Sequence, residues 1–309
     1  MKRVRLAIAA VAFVMGVGLI AYPYVSDYVY KQRQHEVISV QDQIVDEAGE
    51  QRLAEETDRA QDYNEQVAAG GSSAVIPEGS DGSAGSDEAY ESLLNLGGDG
   101  VMGTLSIPKI DLRVPIYHYT DAADLQQGVG HEPGTSLPVG GPSTHAVLAG
   151  HNGLPAVKIF DRLDELKPGD YFVIETLGKE LAYRVTSTET VLPDETESVA
   201  VQEGRDLVTL VTCVPYGVNS HRLLVHAERC ELPAEWTERG AGAAGEPTAA
   251  EAAPGVPLTA LTVAGIAVVA ACALVARHVR RTRARRARGG RHFSGDDHRA
   301  SSSRRSGGR

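Results

Sequence analysis

A thiol, a guanidinium and an imidazole stand at informative places in this sequence. Asp206–Glu228 reads DLVTLVTCVPYGVNSHRLLVHAE, with two apolar, β-branched runs, Leu207–Val211 and Leu223–Val225, on either side of a polar, turn-rich segment. That pattern predicts two adjacent antiparallel strands. Cys213 closes the first and Arg222 opens the second, so pairing would hold them side by side at one end of the ladder. The chemistry this allows is nucleophilic attack by sulfur beside a group that stabilises developing negative charge, since a guanidinium keeps its charge throughout. The segment between them, Val214–His221, is longer than a usual hairpin loop, and overlong loops in compact domains tend to be functional. Cys213 alone reads as a small buried hydrophobe; its arginine neighbour turns the argument toward reaction. A proton carrier is also needed. His151, at the end of the apolar run His145-Ala-Val-Leu-Ala-Gly-His151, and its rivals His145 and His221 are the candidates, and the residues by themselves leave the three open.

The elements that must position these groups are short and β-rich. Leu105–Ile107, Val114–Ile116, His145–Ala149, Tyr171–Leu177, Leu181–Leu192, Leu207–Thr212 and Leu223–Ala227 read as strands separated by Gly, Pro and Asp turns. Val157–Leu166 reads as a short helix stopped by Pro168-Gly169. So many short strands with so few long helical patterns predict a closed barrel or sandwich. Before them, Lys31–Val67 carries Val37, Val40, Ile44 and Val45 at near-helical spacing and predicts one or two helices. Ala68–Glu88 is rich in Gly, Ser, Asp and Ala, and Glu231–Pro254 in Ala, Gly, Pro and Glu; both read as linkers. The three cysteines, Cys213, Cys230 and Cys272, have no metal-ligand spacing and suggest no disulfide framework.

These residues resemble the sortases, cysteine transpeptidases of Gram-positive cell surfaces. Thr209, Leu210, Thr212 and Cys213 match the family's Thr-Leu-x-Thr-Cys signature, Arg222 its arginine, and His151 in LAGHNG its histidine. The pilin-polymerising group, class C, is resembled most closely, through GDGVMGTLSIPKI (98–110), GTSLPVGGPSTHAVLAGHNGLP (134–155) and TLVTCVPYGVNSHRLLV (209–225). Three motifs in the right order are far more specific than one short pattern.

The resemblance implies the sortase β-barrel over residues 90–230 and transpeptidation at an LPxTG-like sorting signal. Cys213 would form a thioacyl intermediate at the threonine carbonyl, His151 would move the protons, and Arg222 would hold the oxyanion. It implies no metal or organic cofactor. The expected acceptor is a lysine amine of a pilin subunit. The alternatives are a cell-wall precursor amine as acceptor, water as in a cysteine hydrolase, or a non-catalytic surface scaffold. The resemblance also implies a lid from residues 68–89. Here that stretch offers only Val75, Ile76 and Pro77 as an apolar plug and lacks the family's Asp-Pro-aromatic triplet. Burying two aliphatic side chains contributes roughly 3–6 kcal/mol, against ordering costs of about 1–2 kcal/mol per residue, so a weak lid is expected.

Topology and charge complete the reading. Residues 1–5 are basic, and 6–25 and 256–276 are apolar runs long enough to span a bilayer. About a dozen arginines fill the tail, 277–309. Positive flanks place both ends in the cytoplasm, with a helical stalk (26–67), the barrel and a tether (231–255) outside. Setting aside the basic residues of the two ends and the two tail aspartates, the remainder holds 15 basic and 39 acidic residues, a charge of about −24. Such a charge opposes nucleic acid as a partner and is compatible with lysine-rich or amine substrates.

Overall fold

The computed structural model describes residues 2–70, 88–153, 158–195 and 197–239. Among the described residues, the N-terminal stretch to Tyr22 belongs to one compact unit and those from Pro23 to Arg239 to another. Helix α1 runs Lys2–Ala48 and includes residues 6–25, where the first span is expected. It is long and apolar enough near its N-terminus to cross a membrane by length and composition. Phe13, Met15, Leu19, Ile20 and Tyr22 expose their side chains there. The expected second span and basic tail lie outside the described residues, as do Val75, Ile76 and Pro77 of the expected lid.

In the unit from Pro23, the helical stalk is present as the rest of α1 and as α2, Glu50–Gly70. The buried face of α1 differs from the one its valines suggest. Gln34, Ile38 and Gln41 are buried, whereas Val40 is 47% exposed. Polar docking explains the choice: Gln34 donates to the Gln127 carbonyl, and Asp42 pairs with Arg113 at 3.6 Å. On α2, Glu56 accepts from the Leu94 backbone N–H at 2.6 Å. Asn64 engages both backbone groups of Leu137, donating to its carbonyl at 3.1 Å and accepting from its N–H at 2.6 Å. A short helix, α3 (Glu88–Glu91), brings in Tyr90, which is buried.

Eight strands close into a barrel in the order β1-β2-β3-β4-β7-β8-β6-β5. They are β1 (Val101–Ile107), β2 (Leu112–Tyr117), β3 (Val129–His131), β4 (Thr144–Ala149), β5 (Tyr171–Thr176), β6 (Lys179–Val191), β7 (Asp206–Val214) and β8 (His221–Cys230). Seven match the strands expected. The eighth, β3, is only Val-Gly-His, too short to show an alternation, yet it bridges β2 in parallel and β4 antiparallel. The expected helix at 157–166 is represented by a single 3-10 turn, Leu163–Glu165.

The interior is packed by alternate residues, among them Leu105, Ile116, Leu148, Phe172, Tyr183, Leu210 and Val225. The wall is also covered from outside. Val147, Ala149, Val211 and Leu224 pack under Val199, and Val173 and Ala182 under Trp236. Burial on both faces is why every residue of β4 is buried and why the strands read as nearly continuous apolar runs. Trp236 sits on α4, Ala234–Arg239, and donates its indole N–H to Glu180 at 2.9 Å. The tether expected from Glu231 therefore does not begin there, because the chain stays on the barrel through α4. Cys230 lies eight residues beyond Arg222 along β8, about 27 Å at strand rise, far outside disulfide reach of Cys213.

One buried acid marks the loop after β3. Glu132 is buried with its carboxylate accepting from the Thr120 hydroxyl at 3.2 Å, and burial pushes it up to about 7. A carboxyl raised in the folded state stabilises the fold fully below its unfolded value, near 4.5, and that contribution is lost as pH rises through 7. Glu132→Gln, which can still accept from Thr120, should match wild type in chemical unfolding at pH 4.5. At pH 8 it should be more stable by about 2–3 kcal/mol.

Candidate active site

The site is built by the register of three neighbouring strands. In the β7–β8 ladder Cys213 is the direct partner of Arg222, as the sequence predicts, and Val214 that of His221. On the other edge of β7, β4 runs parallel with Ala149 opposite Val211. The Gly150 N–H continues that ladder to the Val211 carbonyl at 3.0 Å. The Thr212 hydroxyl donates to the Gly150 carbonyl at 2.8 Å, and the Asn152 side-chain amide donates to the Cys213 carbonyl at 3.1 Å. His151 thus leaves the sheet beside Cys213. Strand alternation puts Val147, Ala149, Val211, Cys213, Leu224 and Arg222 on one face, the outside of the barrel. The apolar floor under Val199 leads directly to the thiol.

Local packing fixes the His151 loop. The His151 carbonyl accepts from the Phe160 N–H at 3.0 Å, and Asp161 accepts from the backbone of Gly153 and Ile159. Gly150 lies flat on the Phe160 ring, where a Cβ would come within 2.5 Å of a ring carbon. Gly153 takes φ +94° with the Tyr216 ring of the β7–β8 loop against it, so the loops either side of Cys213 touch. Tyr216 and Val218 of that loop, and Leu192 at the end of β6, form an exposed apolar rim, 64%, 68% and 46% accessible.

Arg222 is buried, and the carbonyls of Asn219 and His221 accept from its Nη1 at 3.1 and 3.2 Å, which fixes the guanidinium at the strand end that carries Cys213. His151 is half-buried, and burial pulls its imidazole below the usual histidine value. Its rivals stand elsewhere. His145 is buried six residues upstream, with Nδ1 on the Ala200 carbonyl at 2.9 Å and Nε2 on the Thr209 hydroxyl at 2.7 Å; burial lowers it to about 4. Thr209 also meets His226 at 2.8 Å, and His226 meets Glu189 at 3.0 Å. That chain ties the β6–β7 connection to the wall. His221 alternates to the face opposite Cys213 and meets Ser220 at 2.9 Å.

A cavity of ≈ 430 Å³ beside His145, Glu189, Gln202, Arg205 and His226 opens farther along the same face, at the Thr209 rather than the Cys213 level. Among the described residues no cluster of His, Cys, Asp or Glu side chains is arranged to hold a metal. Two groups that shape the site were not singled out for that role from sequence. Thr212 stands inside the Thr-Leu-x-Thr-Cys signature, and Asn152 follows His151 directly. The signal for both was adjacency to a candidate catalytic residue.

A family model for the sortase domain matches residues 105–230. The chain is 32% identical over 130 residues to sortase D of Bacillus subtilis, covering 41% of this chain and 63% of that protein. It is 34% identical over 125 residues to sortase A of Bacillus anthracis, covering 40% and 58%. The matches therefore span less than two thirds of these curated relatives. Among solved structures, sortase C-1 from Actinomyces oris is 46% identical, with 58% of this chain and 99% of that chain covered and a TM-score of 0.55. Sortase C1 from Streptococcus agalactiae is 37% identical, with 64% and 100% covered and a TM-score of 0.59. Sortase C from Streptococcus pneumoniae, 38% identical, covers 64% and 98% with a TM-score of 0.59, and its structure is described in terms of pilin substrate specificity.

Gly150→Ala should cost about 1–3 kcal/mol, as inserting a methyl into a filled space does. Phe160→Leu makes room for that methyl. In thermal or chemical unfolding the two changes together should cost less than the sum of their separate effects, by about 1 kcal/mol.

Proposed function

The chain belongs to the sortase family, and on that premise we propose that it is a membrane-anchored cysteine transpeptidase that joins pilin subunits. The observation that carries this reading is the direct cross-strand pairing of Cys213 with Arg222, with His151 at the adjoining end of β4. The Cys213 thiolate attacks the threonine carbonyl of an LPxTG-like signal; the C–S bond forms and the carbonyl electrons move to oxygen. Arg222 stabilises that oxyanion from a guanidinium already locked in place, so little reorganisation is needed as charge develops. The Thr–Gly C–N bond then breaks, and imidazolium His151 gives its proton to the departing glycine amine. A lysine amine attacks the thioester, gives a proton to neutral His151, and the C–S bond breaks to regenerate the thiolate. Burial of His151 makes its imidazolium a stronger acid toward the departing amine and favours the neutral form that accepts the lysine proton.

Pilin subunits as substrates are supported by the class C relatives, including the S. pneumoniae enzyme described with pilin substrates. A strongly acidic middle of the chain favours a lysine-bearing acceptor. A second reading, anchoring of surface proteins to a cell-wall precursor amine, uses the same site and is favoured by the sortase A relatives. The membrane anchor rests on the exposed apolar side chains of α1, and the second span and cytoplasmic ends on the apolar run 256–276 and its arginines.

The test is incubation of the full chain in detergent micelles with an LPxTG peptide and either a lysine-bearing pilin fragment or a cell-wall precursor amine, read by product mass. Ligation to the pilin lysine is expected. Ligation only to the precursor amine selects the second reading, and hydrolysis alone overturns transfer. Cys213→Ala should abolish all product. Arg222→Lys should fold normally and lose on the order of 10²–10³ in turnover, the usual cost of one oxyanion donor.

A further inference from the structure

We propose that Asn152 is a positioning residue for this reaction: its side chain supplies the rung of the β4–β7 ladder that sets His151 against Cys213. The inference rests on the transpeptidase reading and adds a part to it. In a parallel ladder the carbonyls facing one neighbour belong to every second residue of a strand. On β7 these are Val211 and then Cys213. Val211 is met in the ordinary way, by the Gly150 backbone N–H at 3.0 Å. Cys213 is met at 3.1 Å by the side-chain amide of Asn152, two residues after Gly150. Asn152 is the residue whose backbone would make that rung if the strand continued.

Letting a side chain make it has a geometric consequence. The backbone at His151 is released from the sheet, turns through Gly153 at φ +94°, and folds back so that His151 receives the Phe160 N–H. A continuing strand would keep His151 in line with β4. A released loop without the rung would leave its distance to the thiol to chance. Asn152 allows the turn while keeping the loop tied to the residue that bears the nucleophile. The orientation of its amide follows from chemistry, because a carbonyl only accepts and the nitrogen must therefore face Cys213. Thr212, on the neighbouring residue of β7, holds the Gly150 carbonyl at 2.8 Å. The His151 loop is thus tied by the residues on both sides of the histidine, the Gly150 carbonyl and the Asn152 side chain, to two consecutive residues of β7.

The experiment compares the full chain in detergent micelles with Asn152→Ala and Asn152→Leu, which lack the donor without adding charge, and with Asn152→Gln, which keeps it. Turnover is normalised to Cys213 that can be alkylated, and thermal unfolding is recorded for each. Misplacement of a proton-transfer group by about an ångström costs up to about 100-fold, so Ala and Leu should lose roughly 10- to 100-fold in kcat. KM for the LPxTG peptide should stay unchanged, and Gln should recover part of the loss. The pH profile of Cys213 alkylation, which needs no transfer activity, should shift by about half a unit or more in Ala and Leu. Turnover within twofold of wild type, a loss confined to KM, or an unchanged alkylation profile overturns the role. If wild type and Cys213→Ala are equally silent in transfer, the transpeptidase reading fails, and the alkylation profile alone decides whether Asn152 couples the two residues.

Discussion

The register of β7 is the constraint on which the rest of the site depends. This strand is paired on both edges, in parallel to β4 and antiparallel to β8, and buried on both faces. Its two faces differ in chemistry. Val208 and Leu210 fill the apolar interior, while Thr209 lies outside between His145 and His226 with its hydroxyl bonded to both. A slip of one residue would drive Thr209 into the interior and turn Cys213 inward. Losing the hydrogen bonds of a buried hydroxyl costs about 1–3 kcal/mol, and misplacing each aliphatic side chain about as much again. The thiol therefore stands where it does because residues that play no part in chemistry cannot stand anywhere else.

The pairing of β7 with β8 was legible because it is local: two β-branched runs separated by turn residues specify a hairpin, and Cys213 beside Arg222 follows from it. The pairing of β4 with β7 was not. It joins segments about sixty residues apart in parallel, a geometry that leaves no turn signature, which is why His145, His151 and His221 could not be ranked from the residues themselves. Only the resemblance of LAGH favoured His151. The short strand β3 carries too few residues for a periodicity, and α4 has in Trp236 a single large apolar residue in a composition that otherwise reads as linker. Asn152 was hidden for another reason. Its importance lies in which carbonyl its side chain reaches, and spacing along a chain does not encode that.

The stalk shows the same limit from the polar side. Helix patterns are read from apolar residues, yet α1 and α2 dock through the hydrogen bonds of Gln34, Glu56 and Asn64, all buried. The paired bonds of Asn64 with Leu137 let a helix dock on the β3–β4 connection as a strand would. Such contacts specify one seat for the helices more sharply than an apolar stripe, because moving the helix would leave the buried carboxylate of Glu56 and the amide of Asn64 without their partners.

The thiol stands on the outer side of the barrel wall, while the interior is filled with side chains. A reaction site inside a barrel must admit its substrate through a mouth and release it the same way. A site on the outside of a wall has no mouth. For the substrate proposed above, a tail on a larger protein, nothing has to be swallowed: the polypeptide can lie across the strands and depart sideways. The filled interior is then free to change for stability alone, and the loops around Cys213 for choice of partner, with β7 the one strand that answers to both.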